Sequence, residues 1–250
     1  MKKFLFIGTL LTAATAAWAT PVPPPACSTT TQTLASYVAL GANGCEIGDK
    51  VFSNFEYSGS NTNAITIGAA NINVDTLGFT SGMDPAEFAN ANIGLQFSAG
   101  WAVSNGGEED SLITFTVTVI NGAGMAITDA AVAQTSSGAS GSGSSASVTE
   151  GGCANTIQNP NCTPGVWNVL TFKNGSGGTQ TSQDVMIAPS GSINVSKDIT
   201  VTALAGGQAS MSAVQDTFSQ SPTGVPEPAT MALVGGALLG LGLIRRRKKS

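Results

Sequence analysis

The stretch that decides the fold runs from Ser111 to Ile120 and reads SLITFTVTVI. One set of alternate positions in it is largely hydroxylated, and the other is apolar and comprises Ile113, Phe115, Val117 and Val119. A period of two residues is that of a β-strand, because successive strand side chains point to opposite sides of a sheet. The stretch therefore predicts a strand with one face packed on a core and the other face in polar surroundings.

Similar segments, rich in Val, Ile, Thr and Phe and separated by Gly, Asn, Ser and Asp, recur along the chain. They are residues 50–58, 64–74, 93–101, 166–173 and 192–204. The helices that would be needed to cover a parallel sheet are missing between them. The pattern predicts an all-β fold, namely an antiparallel β-sandwich with jelly-roll-like connections.

The N-terminus has the layout of a secretory signal peptide. Lys2 and Lys3 precede an apolar run, and Ala17-Trp18-Ala19 offers a small-residue cleavage site. An uncleaved anchor would need about 20 apolar residues, and polar and glycine residues interrupt this run. We expect residues 1–19 to be removed on export.

The body is predicted to be one ectodomain, residues 27–220, after a proline-rich leader at residues 20–26. It opens with one short helix, whose N-cap candidates are Ser28 to Thr31 and whose stop signals are Gly41 and Gly44. The apolar face of that helix comprises Leu34, Tyr37 and Val38. The Ser- and Gly-rich segment 134–150 is interpreted as an exposed loop that runs into an edge strand at residues 147–150, rather than as a linker between two domains.

Four cysteines lie in the exported part of the chain: Cys27, Cys45, Cys153 and Cys162. An even number in an oxidising compartment favours disulfides. Nearness in sequence favours Cys27 with Cys45 and Cys153 with Cys162, although the other two pairings stay open. A four-cysteine zinc site ranks lower, because no two of these cysteines have the C-x-x-C spacing.

Charge and composition exclude several functions. Of the ten basic residues, only Lys50, Lys173 and Lys197 lie between residues 20 and 225, whereas every acidic residue except Glu227 lies there. Such an acidic body repels phosphate backbones, which argues against nucleic-acid binding. The chain has no histidine, so histidine-based nucleophile activation and histidine zinc sites are excluded. No cofactor is indicated.

Two groups in the body are candidate binding residues. Glu108, Glu109 and Asp110 are a weak calcium candidate, with Asp75, Asp84 or Glu87 as partners, but a solvated loop is the preferred interpretation. Neighbouring acids on a strand point to opposite faces, so they make a poor glycosidase pair. Trp101 and Trp167 are candidate sugar contacts if they are exposed on a sheet face.

The C-terminal segment, residues 221–250, contains a span and a basic tail. Residues 229–244 are uncharged, and the basic cluster that follows comprises Arg245, Arg246, Arg247, Lys248 and Lys249. As a helix the span would measure about 24 Å at ~1.5 Å per residue, a length that local thinning can fit to a bilayer. The basic cluster predicts a cytoplasmic tail, which agrees with an exported body.

Pro226, Glu227 and Pro228 lie just before this span and form a rigid extended tripeptide. The order of tripeptide, short glycine-rich span and arginine cluster resembles the PEP-CTERM sorting signal of Gram-negative bacteria. The resemblance implies recognition by an exosortase, an integral membrane cysteine transpeptidase-like enzyme, and a link to exopolysaccharide and biofilm. LASYVALGANGCEIGDKVFSNFEYSG, together with SKDITV, resembles the exported β-rich body of some PEP-CTERM proteins of unassigned activity.

These observations predict an exported, non-enzymatic surface or matrix protein that an exosortase sorts and processes at Pro226 to Pro228. It would pass through the inner membrane before reaching the cell surface or the extracellular matrix, with exopolysaccharide as a partner. The alternative is a carbohydrate-binding module that uses exposed aromatic rings. A carboxylate-based glycosidase is the least favoured interpretation, because no nucleophile motif accompanies the acids.

Overall fold

A computed structural model describes residues 23–78, 92–120, 124–154 and 167–222 of the 250-residue chain. The predicted signal peptide, the transmembrane helix 229–244, the sorting tripeptide and the basic tail lie outside the described residues. So do Asp84, Glu87, Cys162 and the side chain of Cys153, and the predicted second disulfide is therefore not described.

The described chain is mostly β-strand. The strands are β1 (Gln32–Thr33), β2 (Cys45–Ile47), β3 (Lys50–Thr62), β4 (Asn73–Leu77), β5 (Ile93–Ser104), β6 (Glu108–Val119), β7 (Met125–Ser140), β8 (Ser145–Ala154), β9 (Trp167–Asn174), β10 (Thr179–Gln180), β11 (Ser182–Ser190), β12 (Ser192–Thr202) and β13 (Gln208–Pro222). One helix, α1 (Leu34–Leu40), follows β1, and a 3₁₀ turn, Ala69–Asn71, precedes β4.

The strands form two antiparallel sheets. The six-stranded sheet has the order β1-β4-β5-β13-β7-β11, and the seven-stranded sheet has the order β10-β9-β8-β12-β6-β3-β2. This arrangement confirms the predicted antiparallel β-sandwich. The two sheets together hold more strands than the eight of a jelly roll. Jelly-roll connectivity therefore stays a prediction.

The core lies between the sheets, and the opening stretch Ser111–Ile120 supplies its centre. Ile113, Phe115 and Val117 on β6 are buried, as their alternation predicts. The ring of Phe115 contacts four other aromatic rings at centroid distances of 5.4 to 6.3 Å: Phe52 and Phe55 on β3, Phe97 on β5 and Phe218 on β13. One strand face therefore joins both sheets through aromatic contacts.

Helix α1 confirms the predicted helix but begins later than its candidate caps. Thr33, rather than Ser28 to Thr31, is the N-cap, and its hydroxyl accepts a hydrogen bond from the backbone N–H of Ser36. Gly41 ends the helix with a φ of 56°, a conformation that suits glycine. Within the described residues, no helix combines the length and apolar character needed to cross a membrane.

The interpretation of segment 134–150 as an exposed loop with an edge strand is wrong. Its first half belongs to β7, a turn with positive φ at Gly141 and Gly143 follows, and its second half belongs to β8. Strand β8 is interior, because it pairs with β9 on one side and β12 on the other. Small Ser, Ala and Gly side chains fit this crowded position, and pairing on both sides compensates for their weak strand propensity.

A disulfide joins Cys27 to Cys45 at a Cα–Cα distance of 4.8 Å, as predicted from their nearness in sequence. The backbone N–H of Cys27 also donates to the carbonyl of Glu46 at 2.9 Å. The disulfide therefore fastens the N-terminal leader to β2 and encloses β1 and α1 in one loop.

Candidate functional site

The two tryptophans predicted as sugar contacts are buried, so the exposure that this prediction needs is not met. Trp101 on β5 is fully buried, and its indole Nε1 donates to Ser111 Oγ at 3.1 Å. Trp167 at the start of β9 is only 5% exposed. Its ring covers Gly152, where an added Cβ would lie 2.4 Å from a ring carbon. Both rings fill the interior instead of forming a platform for a sugar.

The acidic candidates on β6 do not converge on one point. Glu109 is buried and accepts a hydrogen bond from the backbone N–H of Ile67 at 3.0 Å, whereas Glu108 is exposed. Burial raises the pKa of Glu109, and backbone hydrogen bonds oppose that effect. Burial, followed by the negative charges of Asp198 and Glu108, raises the pKa of Asp110. Within the described residues, no three acidic or cysteine side chains are grouped as metal ligands.

An open groove of about 700 Å³ lies on the six-stranded sheet. Its walls are the loop at residues 63–65 and the strand segments 102–104, 138–140 and 208–210. Hydroxyl and amide groups from Asn63, Gln208 and Ser210 offer donors and acceptors, and exposed Ile65 offers an apolar contact. None of the lining residues is titratable, so the groove suits binding of an uncharged polar ligand and lacks an acid or base.

The strongest chemical cluster in the described chain is buried between the sheets and consists of Lys197, Glu150 and Asp216. All three residues are fully buried. Lys197 Nζ lies 2.5 Å from Glu150 Oε2 and also contacts Asp216 Oδ1. One amine and two carboxyl groups therefore share a site from which bulk water is excluded.

Burial sets the protonation of this triad, defined here as Lys197, Glu150 and Asp216. It raises the pKa of Glu150 well above its usual value, and the charge of Asp216 adds to this effect. Burial also raises the pKa of Asp216. Burial acts to lower the pKa of Lys197, but the charges of Asp216 and Glu150 outweigh it and raise the pKa. Since two buried carboxylates this close repel each other, we infer that one of them holds a proton.

A second buried lysine has different surroundings. Lys50 Nζ lies 3.0 Å from Oδ1 of Asp49, its neighbour in sequence, and the side-chain amide of Gln220 donates to the same carboxylate. Desolvation lowers the pKa of Lys50, and the Asp49 charge opposes this. The carboxylate of Asp49 already has two partners, so this pair resembles an ordinary buried ion pair.

Sequence reasoning missed the triad, although a signal was present. Lys197 continues the buried alternation on β12, which comprises Ile193, Val195, Lys197, Ile199 and Val201. Glu150 continues the inward set Ala146 and Val148 on β8, and Asp216 lies between buried Val214 and Phe218 on β13. A charged residue at an inward position of an alternating strand is the pattern that would have identified it.

Comparison with known protein families identifies a sorting motif in the C-terminal segment of the chain. Residues 224–248 match the family model of the PEP-CTERM protein-sorting motif, which includes Pro226, Glu227 and Pro228. The chain is a PEP-CTERM domain-containing protein. The motif implies an exported protein that an exosortase processes. The resemblance of this segment to the PEP-CTERM sorting signal predicts the same.

The other comparisons add no functional information. No curated protein matches the chain. One solved structure that it resembles is the enzymatically active domain of tailspike protein 4 from bacteriophage CBA120, at 13% identity and a TM-score of 0.23. The match covers 64% of this chain and 19% of the tailspike chain. So low a TM-score carries no argument about fold or activity.

Proposed function

We propose that this PEP-CTERM protein serves at the cell surface or in the extracellular matrix, where its β-sandwich associates with exopolysaccharide. In this proposal residues 1–19 direct export, the uncharged span at residues 229–244 holds the precursor in the inner membrane, and the exosortase cleaves near Pro226 to Pro228. The observation that carries the proposal is the sorting motif at residues 224–248. A disulfide-bonded, acidic body agrees with a place outside the cytoplasm.

Processing is tested by determining the mature C-terminus in cells with and without the exosortase, using mass spectrometry of the isolated protein. The expected result is a C-terminus near Pro228 only when the exosortase is present. A Pro226→Ala, Pro228→Ala double variant should stay unprocessed. Pro222→Ala is the matched control, since it removes a proline just upstream and should be processed normally. The same mature C-terminus in both strains would overturn the proposal.

The proposal gives the body a binding role and no enzymatic one. The groove at residues 63–65, 102–104, 138–140 and 208–210 supports this role, because its polar groups are uncharged and it is open to solvent. It replaces the buried tryptophans as the surface that would meet a sugar. A carboxylate-based glycosidase has less support, since Glu109 is engaged with the backbone of Ile67.

Ser210→Trp tests the groove, because a large ring at that position would fill it. Ser212→Trp is the matched control: Ser212 lies two residues further along the same exposed face of β13 and does not line the groove. In polysaccharide pull-down from the producing organism's matrix, binding should be lost with Ser210→Trp and retained with Ser212→Trp. Equal binding by both variants would exclude the groove as the contact site.

A further inference from the structure

The triad joins the two sheets at one point. Lys197 on β12 lies directly opposite Glu150 on β8 in the seven-stranded sheet. Asp216 lies on β13, a central strand of the six-stranded sheet. The Lys197 amine therefore contacts a carboxyl group of its own sheet and a carboxyl group of the facing sheet.

Apolar residues border the triad on every paired strand. The cross-strand partners of its members are Ile113 and Val169 in one sheet, and Leu95 and Val132 in the other. All four are buried. Charged groups lose their hydration in such surroundings, which lowers the free-energy cost of moving a proton from the Lys197 ammonium to a neighbouring carboxylate.

We propose that Lys197 and Asp216 condense into an intramolecular amide bond, with Glu150 as the residue that carries the proton. The Lys197 ammonium first passes one proton to the Glu150 carboxylate, and its neutral Nζ then attacks Cγ of protonated Asp216, so that a C–N bond forms. Glu150 delivers its proton to the departing hydroxyl and accepts the second proton that the nitrogen loses. The C–O bond breaks, one water molecule leaves, and Glu150 ends protonated, holding the proton that the ammonium carried in excess of the neutral amine. No oxidant, reductant or cofactor takes part.

The geometry assigns each role. Glu150 Oε2 is 2.5 Å from the nitrogen that must lose a proton. A general acid or base has to lie within hydrogen-bond distance of the proton that it moves, and Glu150 meets this condition. Holding amine and acid together in a rigid core supplies the proximity that makes such a condensation intramolecular. Lys50 lacks a second carboxyl group within the described contacts, so the same reaction is not expected there.

The test is peptide mapping of the full wild-type chain, reduced, alkylated and denatured before digestion. An amide at Nζ abolishes tryptic cleavage after Lys197, while cleavage after Lys50 and Lys173 persists and serves as the internal control. After further digestion with chymotrypsin, the peptide that contains Lys197 should remain joined to the one that contains Asp216. The joined mass should equal the sum of the two peptides less one water.

Three variants separate the chemistry from misfolding. Glu150→Gln keeps the shape but cannot accept the proton, so trypsin should cleave after Lys197. Lys197→Arg should give only unlinked peptides. Asp216→Asn should form the same amide with loss of ammonia, so its joined peptide should have the wild-type mass, a result that a misfolded chain would not give.

A wild-type chain that trypsin cleaves after Lys197, with the Asp216 peptide free, would overturn the proposal. A joined peptide in Glu150→Gln at the wild-type yield would overturn the role of Glu150. Neither result bears on exosortase processing, which depends on residues 224–248.

Discussion

Tyr37 on α1 shows how single polar atoms are placed in this core. Its ring packs edge-on against Phe55 with centroids 5.2 Å apart, and its hydroxyl is buried with no hydrogen-bond partner within the described residues. Burial, with a smaller contribution from the charge of Asp75, raises the pKa of Tyr37 to about 12. Tyr57 contrasts with it, because its hydroxyl donates to the carbonyl of Ile67 and also contacts Ser111 Oγ at 3.1 Å.

Replacement of Tyr37 by Phe should therefore leave stability unchanged or increase it at neutral pH, since an unsatisfied buried group costs about 1–3 kcal/mol. The tyrosine ionises near pH 10 in the unfolded chain but only near 12 in the folded one, so wild-type stability falls as pH rises between these values. At pH 11 the variant should gain about 1 kcal/mol more over the wild type than at pH 8. Urea unfolding at both pH values measures this.

Tyr57→Phe is the matched control. Its free energy of unfolding should fall by about 1 kcal/mol at pH 8, because the substitution removes the hydrogen bond that the Tyr57 hydroxyl donates to the carbonyl of Ile67. A destabilised Tyr37→Phe protein at pH 8, or an advantage that does not grow at pH 11, would contradict this account of Tyr37.

At the scale of the strand, β5 shows how close backbone approach constrains sequence. Gly94 lies against β13, where an added Cβ would come within 1.7 Å of the backbone oxygen of Asp216. Gly100 lies on the same strand, is exposed, and has no atom within 4 Å of an added Cβ. The two glycines therefore differ in surroundings while sharing a strand.

Gly94→Ala should destabilise the fold by about 3 kcal/mol, at the upper end of the range for overpacking, because the clash is with backbone that cannot rotate away. Gly100→Ala should be within about 0.5 kcal/mol of the wild type, as for an unobstructed surface change. Midpoints of guanidinium unfolding measure both values. Similar midpoints for the two variants would show that β5 can shift away from β13.

The strands that the sequence predicts well are those whose inward positions are aromatic or β-branched, such as β6 and β12. The segment 64–74 is a strand only at its end, and β7 and β13 were not predicted, because Ser, Ala and Gly alternate there with few branched residues. Their strand conformation depends on pairing with neighbours on both sides, a tertiary effect that local patterns do not report.

The candidate sites likewise divide into those that the sequence predicts and those that depend on the tertiary fold. The divergence of Glu108 and Glu109 followed from alternation alone, and the sorting motif followed from its tripeptide, span and charges. The burial of Trp101 could have been predicted, because it continues the apolar alternation of Ile93, Leu95 and Phe97 on β5. The triad as a cluster could not be predicted, because it forms only where three strands from two sheets meet in the folded protein.

For the whole molecule, the position of β13 connects the core to the C-terminal motif. Strand β13 ends at Pro222, beyond the predicted boundary at residue 220, and the sorting motif begins at residue 224. Any load on an attached C-terminus would therefore enter the sandwich through β13, which lies between β5 and β7. Asp216 lies on this strand, so the proposed amide with Lys197 would pass such a load directly to the seven-stranded sheet.

The amide would also keep part of the chain from extending when the protein is pulled apart. About 19 residues separate Lys197 from Asp216, and at ~3.5 Å per residue they correspond to about 65 Å of extended chain. In single-molecule pulling between the N-terminus and residue 222 under oxidising conditions, the wild type should unfold to a contour length shorter by about this amount than Glu150→Gln. The disulfide of Cys27 with Cys45 shortens both chains equally, so it cancels from the comparison. Equal contour lengths would show that the two sheets are held together by packing and ion pairing alone.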